Sequence, residues 1–137
     1  MNYYETFIQV APDGPVQAAV IPRAKGQNKS VPVLEYELLC GQPYFYTQEE
    51  VLFAVHVQRA GIAPGELKSR HDGLWNEFFA QPRACLRASA LPKKYGWGIH
   101  FDAQGKTAIY PVESAAYRRF ANSKNITQLL AMRSRRA

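Results

Sequence analysis

Residues 97 to 112 read Trp-Gly-Ile-His-Phe-Asp-Ala-Gln-Gly-Lys-Thr-Ala-Ile-Tyr-Pro-Val, and this stretch decides the fold. Trp97, Ile99 and Phe101 alternate with other residues, a period of two that is typical of a strand with one buried face. Residues 102–105 supply turn-forming side chains, and a second strand-like run continues to Val112. The stretch therefore predicts an antiparallel hairpin against which the rest of the chain must pack.

The register of this hairpin decides which side chains face the interior. A symmetric four-residue turn pairs His100 with Thr107 and Trp97 with Tyr110. His100 and Thr107 then lie on the outer face. The inner face carries the apolar side chains Trp97, Ile99, Phe101, Ala108 and Tyr110.

Local signals predict helices on both sides of the hairpin. Thr47 and Glu50 have the spacing of a capping box, which favours a helix for the apolar run 51–57. The β-branched residues of that run leave a buried strand open as the alternative. Extended structure is predicted at 6–10 and 84–88, and further helices at 31–41, 66–79, 114–121 and, for a turn or two, 126–132.

These elements together predict an α+β fold, in which a small antiparallel sheet carries helices packed mainly on one face. A chain of 137 residues is the size of one compact domain, so we expect a single domain over residues 1–137. Its basic end, at about 133–137, is expected to be frayed.

The composition excludes several classes of protein. Hydrophobic residues make up 47% of the chain, which is too many for a disordered protein. The longest apolar run is far shorter than the ~20 residues of a membrane span, and the N-terminus lacks the pattern of a secretory signal. We therefore expect a cytoplasmic protein with no membrane partner. Cys40 and Cys85 are too far apart for a typical metal-binding pair, so they are expected to be reduced, buried thiols, with no metal and no cofactor.

Positive charge is concentrated in the last part of the chain. Residues 1–82 contain 6 basic and 9 acidic side chains, whereas residues 83–137 contain 11 basic and 2 acidic ones. The first part thus has a net charge of −3 and the second of +9, which add to the formal charge of +6. Such a field attracts nucleic acids, phosphorylated ligands or acidic surfaces.

The best candidate for an anion-binding site lies within residues 83–100. Arginine binds phosphate and carboxylate groups through two parallel hydrogen bonds, and lysine adds positive charge. The candidate residues are Arg83, Arg87, Lys93, Lys94 and His100. Our first hypothesis is a non-catalytic protein that binds nucleic acid or a phosphorylated ligand through them. The structural alternative is that the lysines are simply solvated and that Arg87 forms an ion pair.

Two other functions stay open. A small enzyme or metabolite-binding protein would have a pocket around Arg87, Ser89 and His100, near Tyr110. Cys85 and Ser89 are possible nucleophiles, and the three histidines possible bases, but none lies in a diagnostic motif and catalytic residues stay unassigned. An interaction subunit would instead pack its aromatic residues, such as Tyr44, Phe45 and Tyr46, on a partner; the oligomeric state is open.

Three segments of the chain resemble a known protein family. They are the N-terminal Met1-Asn2-Tyr3-Tyr4-Glu5-Thr6-Phe7, the turn Pro43-Tyr44 with Tyr46-Thr47, and the block Cys85-Leu86-Arg87-Ala88-Ser89 with Leu91-Pro92-Lys93-Lys94-Tyr95-Gly96-Trp97-Gly98-Ile99-His100. The tail Ala131-Met132-Arg133-Ser134 fits as well. The chain resembles a family of short bacterial proteins that contain a domain of unknown function. This resemblance implies a bacterial cytosolic protein and transfers no catalytic residue.

Overall fold

The computed structural model describes residues 2–133 and contains, within them, one four-stranded sheet and five α-helices. In chain order the elements are β1 (Thr6–Gln9), α1 (Val31–Gly41), α2 (Gln48–Ala60), α3 (Pro64–Ser69), α4 (His71–Phe79), β2 (Trp97–Phe101), β3 (Thr107–Pro111), α5 (Ala115–Ala121) and β4 (Thr127–Leu130). The α+β class is therefore confirmed. Most of the segment expected to be frayed, residues 134–137, lies outside the described residues.

The sheet has the strand order β3-β2-β1-β4 and is mixed, whereas an antiparallel sheet was expected. β1 is antiparallel to β2 but parallel to β4, which the chain reaches from β3 by crossing over through α5. The last turn predicted as helix at 126–132 is thus a strand. Thr127 donates its backbone N–H to the Glu5 carbonyl and Ala131 donates to Gln9, because the open edge of β1 offers these acceptors.

The predicted hairpin is present, but its register differs by one residue from the symmetric one. Phe101 pairs with Thr107 and Ile99 with Ile109. The turn itself causes the difference: Asp102 pairs with Lys106, and Gly105 adopts a left-handed φ of 78°, which closes a loop of three residues. Thr107 and Ile109 consequently share the face of Trp97, and Ala108 and Tyr110 share the face of His100.

The two faces of the sheet are covered differently. The face of Trp97 and Ile99 packs on α1 and α2, and this packing forms the main core. The opposite face is covered by α5, whose Tyr117 contacts Phe7 with ring centroids 5.0 Å apart. Gly98 permits this contact, because a Cβ there would lie 2.5 Å from Tyr117 Cε2. Helices thus pack mainly, but not only, on one face.

Helix α2 begins as its sequence predicts. Thr47 accepts a hydrogen bond from Glu50 N, and the Glu50 carboxylate accepts one from Thr47 N, so the capping box is complete. The alternative of a buried strand at 51–57 is therefore wrong. The single helix expected at 66–79 is divided at Arg70 into α3 and α4, which pack on Phe53 of α2 to form a second, smaller core.

The strand expected at 84–88 is wrong, since the chain forms a 3-10 turn at Leu86–Ala88. Leu86 donates its backbone N–H to the Oε1 atom of the buried Gln48 side chain, at 2.8 Å. This side-chain acceptor replaces a neighbouring strand. Cys40 and Cys85 are free thiols, but neither is fully buried as expected, since Cys40 is exposed and Cys85 is half-buried. None of the helices within residues 2–133 combines the length and apolar character that a bilayer span requires.

Candidate functional site

The two arginines of the predicted anion site have separate contacts. Arg83 donates from Nε to the Phe78 carbonyl at 2.8 Å, and its guanidinium carbon lies 4.0 Å from the centre of the Phe78 ring, at the end of α4. Arg87 donates from Nε to the Leu130 carbonyl at 2.9 Å, on the outer edge of β4. Arg87 therefore links the 3-10 turn to the sheet edge.

The two lysines occupy a third place. Lys93 and Lys94 belong to a π-helical turn, Leu91–Tyr95, that ends at Gly96 with a left-handed φ of 81°. This turn packs under the N-terminal loop, since Ala11 donates its backbone N–H to the Pro92 carbonyl. Lys94 is exposed to solvent and Lys93 is half-buried.

His100 is buried on the sheet face that α5 covers. Its ring stacks on Phe120 with centroids 4.1 Å apart, and Nδ1 lies 2.8 Å from the hydroxyl of Tyr44, which is itself 2.7 Å from the Tyr110 hydroxyl. Burial lowers the pKa of His100, although Asp102 and Glu5 act in the opposite direction. The imidazole is thus a hydrogen-bonded part of the interior.

The three residues of the alternative pocket, Arg87, Ser89 and His100, lie at separate places in the fold. His100 and Tyr110 do meet, through Tyr44, on one side of the sheet. Ser89 lies on the side of the main core, where its hydroxyl donates to Glu35 Oε1 at 2.8 Å. Of the aromatic residues offered as a contact surface, Tyr44 turns inward, whereas Phe45 is 56% exposed.

A cavity of about 250 Å³ joins Arg83, from the predicted anion site, to three further polar residues. We call it the Glu35 cleft, and its polar lining consists of Glu35 from α1, His56 and Arg59 from α2, and Arg83. Apolar side chains from α1, α2 and α4 complete the walls, namely Val31, Leu52, Val55 and Phe78. Arg83 is the predicted anion-site residue that contributes to this cleft.

Glu35 is an acid in an apolar position. It is 3% exposed, and the Ser89 hydroxyl donates a hydrogen bond to its carboxyl. Burial raises its pKa to about 7, and the bond from Ser89 offsets only part of this effect. Near neutral pH the carboxyl therefore exists in both protonation states and can either donate or accept a proton.

The cations of the cleft are available to a ligand. Neither Arg59 nor Arg83 forms an ion pair with a carboxylate within residues 2–133. The bond from Arg83 Nε fixes the guanidinium while both Nη groups take no part in it. His56 stacks on the same Phe78 ring that Arg83 covers, with centroids 4.5 Å apart. A desolvated acid thus faces a cavity that also presents two arginines.

Sequence reasoning missed Glu35 and Arg59, although a signal for Glu35 was present. Glu35 lies four residues after Val31 and four before Leu39, so it occupies the apolar stripe of α1. A charged residue at such a position is a candidate functional group. His56, one of the three histidines considered as possible bases, is half-buried at the cleft. Across residues 2–133 no cluster of three or more His, Cys, Asp or Glu side chains could hold a metal ion.

Comparison with known proteins places the chain in a family without assigning a reaction. A family model described as a family of unknown function (DUF6157) matches residues 1–137. No curated protein and no solved structure matches the chain.

Proposed function

The chain belongs to the family of unknown function DUF6157, and from this premise we propose that it binds a small anionic metabolite, a carboxylate or phosphate ester, in the Glu35 cleft. One observation carries the proposal: a buried carboxyl lines the same cavity as two arginines that have no carboxylate partner in the described part of the chain. Its volume of about 250 Å³ lies just below the usual range for ligand pockets, roughly 300–1,000 Å³, so the ligand should be small.

Each polar group has a distinct part in this binding. Arg59 and Arg83 supply charge-assisted hydrogen bonds to the anion, and the stacking of Arg83 on Phe78 limits the entropy lost on binding. Protonated Glu35 donates a further hydrogen bond, whereas ionised Glu35 repels the ligand. Binding is therefore expected to be coupled to proton uptake at Glu35.

Titration calorimetry with lactate, a carboxylate that stays ionised from pH 6 to 8, tests the coupling to protons. In the native protein the affinity should fall about tenfold per pH unit above the pKa of Glu35. Glu35→Gln, which keeps an uncharged hydrogen-bonding group, should lose most of this fall between pH 6 and pH 8. Binding that is independent of pH in both proteins would refute the role of Glu35.

A pair of charge substitutions tests the location. Arg83→Met should weaken binding of lactate and of glycerol phosphate about ten- to a hundredfold, the range of a lost charge-assisted hydrogen bond. Lys94→Met is the matched control, because Lys94 is an exposed cation outside the cleft and its loss should leave affinity nearly unchanged. Equal losses in both variants would show that the anion responds to net charge and would contradict the proposal.

A further inference from the structure

A second cavity, about 340 Å³ in volume, lies among α1, α2, α3 and α4, and we call it the aromatic groove. Rings from three segments line it, namely Tyr46, Phe53, His71 and Trp75. Phe53 and Trp75 are in contact, with ring centroids 5.0 Å apart and planes at 57°. The groove therefore offers aromatic walls to a ligand of the size that its volume admits.

Glu50 is the acid of this groove. Its Oε1 atom accepts a hydrogen bond from Thr47 N at 2.9 Å and lies 3.4 Å from Lys106 Nζ. Its Oε2 atom has no hydrogen-bond partner within residues 2–133. Burial acts to raise the pKa of Glu50, but the bond from Thr47 and the charge of Lys106 together lower it, so the carboxylate is ionised at neutral pH.

Glu50 is the carboxylate in the lining of the groove, and Lys106 neutralises it in part through the Oε1 atom. No lysine or arginine belongs to its lining within the described residues, and its His71 lies 3.3 Å from the Asp72 carboxylate. The character of the groove is thus opposite to that of the Glu35 cleft, where two arginines line the cavity.

We propose that the aromatic groove binds a small organic cation, an amine on an apolar body, with the ammonium group between the Glu50 Oε2 atom and the aromatic rings. Aromatic faces attract cations through their quadrupole, and tryptophan does so best. The carboxylate oxygen accepts the ammonium N–H groups, and the apolar body fills the space beside Leu38 and Phe53. This site does not depend on the function of the Glu35 cleft.

Three ligands of one shape and different charge test the proposal: 2-phenylethylamine, 2-phenylethanol and phenylacetate. The readout is NMR, because the chain has two tryptophans and therefore two indole N–H signals. Trp75 lines the groove, whereas the Trp97 indole donates to the Val20 carbonyl on the other side of α1 and α2. Trp75→Phe assigns the signals. We expect the Trp75 signal to shift, the Trp97 signal to stay, and the amine to bind three- to tenfold more tightly than the alcohol.

Glu50→Gln removes the charge and keeps a side chain that can cap α2. In this variant the preference for the amine should shrink to what the aromatic rings alone provide, and an unchanged Trp97 signal reports that the fold is intact. Should the variant fail to fold, the native protein provides a parallel test, because about 1 M salt shortens the Debye length to about 3 Å and should weaken the preference for the amine. Tighter binding of phenylacetate, equal binding of amine and alcohol to the native protein, or no shift of Trp75 would each overturn the proposal.

Discussion

Replacing Glu35 by glutamine should make the protein more stable at pH 8 and leave its stability almost unchanged at pH 4.5. The Glu35 carboxyl is buried, and burial raises its pKa from 4.5 to about 7. Between these pH values the folded protein keeps a proton that the unfolded chain has released. The free energy of unfolding therefore falls as pH rises through this window and levels off above it.

The size of the effect follows from the two pKa values. They differ by about 2.5, and because one pKa unit corresponds to about 1.4 kcal/mol, the ionisation of Glu35 costs about 3 kcal/mol of stability. This is a large share of the roughly 5–15 kcal/mol that stabilises a typical domain. Glutamine stays neutral and still offers Ser89 an acceptor, so the variant escapes this cost.

Urea unfolding of both proteins between pH 4.5 and 8 measures the effect. The difference in unfolding free energy should grow from near zero to about 3 kcal/mol in favour of Glu35→Gln. Glu37→Gln is the control, because Glu37 lies on the same helix but is exposed and pairs with Lys29. The difference in unfolding free energy between this variant and the native protein should not change from pH 5 to 8. If the difference in unfolding free energy between Glu35→Gln and the native protein also did not change with pH, the Glu35 carboxyl would not be desolvated and the reasoning would be refuted.

Three further substitutions test the packing around the sheet. Gly98→Ala should lower the stability by about 1–3 kcal/mol in a thermal melt, because its Cβ would overlap Tyr117. Its control, Gly41→Ala, has no atom within 4 Å of the added Cβ and should be neutral or slightly stabilising. Equal melting temperatures of the two variants would argue against the close contact at Gly98. Tyr44→Phe should cost about 1–3 kcal/mol in urea unfolding, since it leaves the buried His100 Nδ1 without its partner, and native stability in this variant would mean that the bond contributes nothing. Arg87→Met should lower the urea midpoint by an amount equivalent to about 0.5–1.5 kcal/mol through loss of its bond to the Leu130 carbonyl, and an unchanged midpoint would restore Arg87 as a candidate ligand-binding residue.

Elements with local signals were predictable. The capping box of Thr47 and Glu50 is made by residues three apart, so the start of α2 could be inferred without knowing what packs on it. The alternation of residues 97–101 likewise identified β2. The four-residue turn was misjudged, because the pairing of Asp102 with Lys106 depends on a left-handed Gly105 that the symmetric register ignores.

The candidate site was less predictable than the fold. Arg83 was recognised as a cation, but its polar partners in the Glu35 cleft come from α1 and α2, at least 24 positions earlier in the chain. The other predicted cations, Arg87, Lys93 and Lys94, lie elsewhere because the turns between 86 and 95 direct them to the edge of β4 and to the N-terminal loop. Charge density along a chain does not determine where side chains meet.

The amino-acid sequence by itself determined the α+β class, the helices at 31–41, 48–60 and 115–121, and the hairpin, since these depend on contacts between residues close in the chain. The tertiary structure alone decided that residues 127–130 form a strand beside β1 and that residues 84–88 do not form one. It alone made Glu35 an acid with a pKa near 7. The physical reason is common to these cases: strand pairing and desolvation depend on groups distant in sequence, and only the folded chain brings them together.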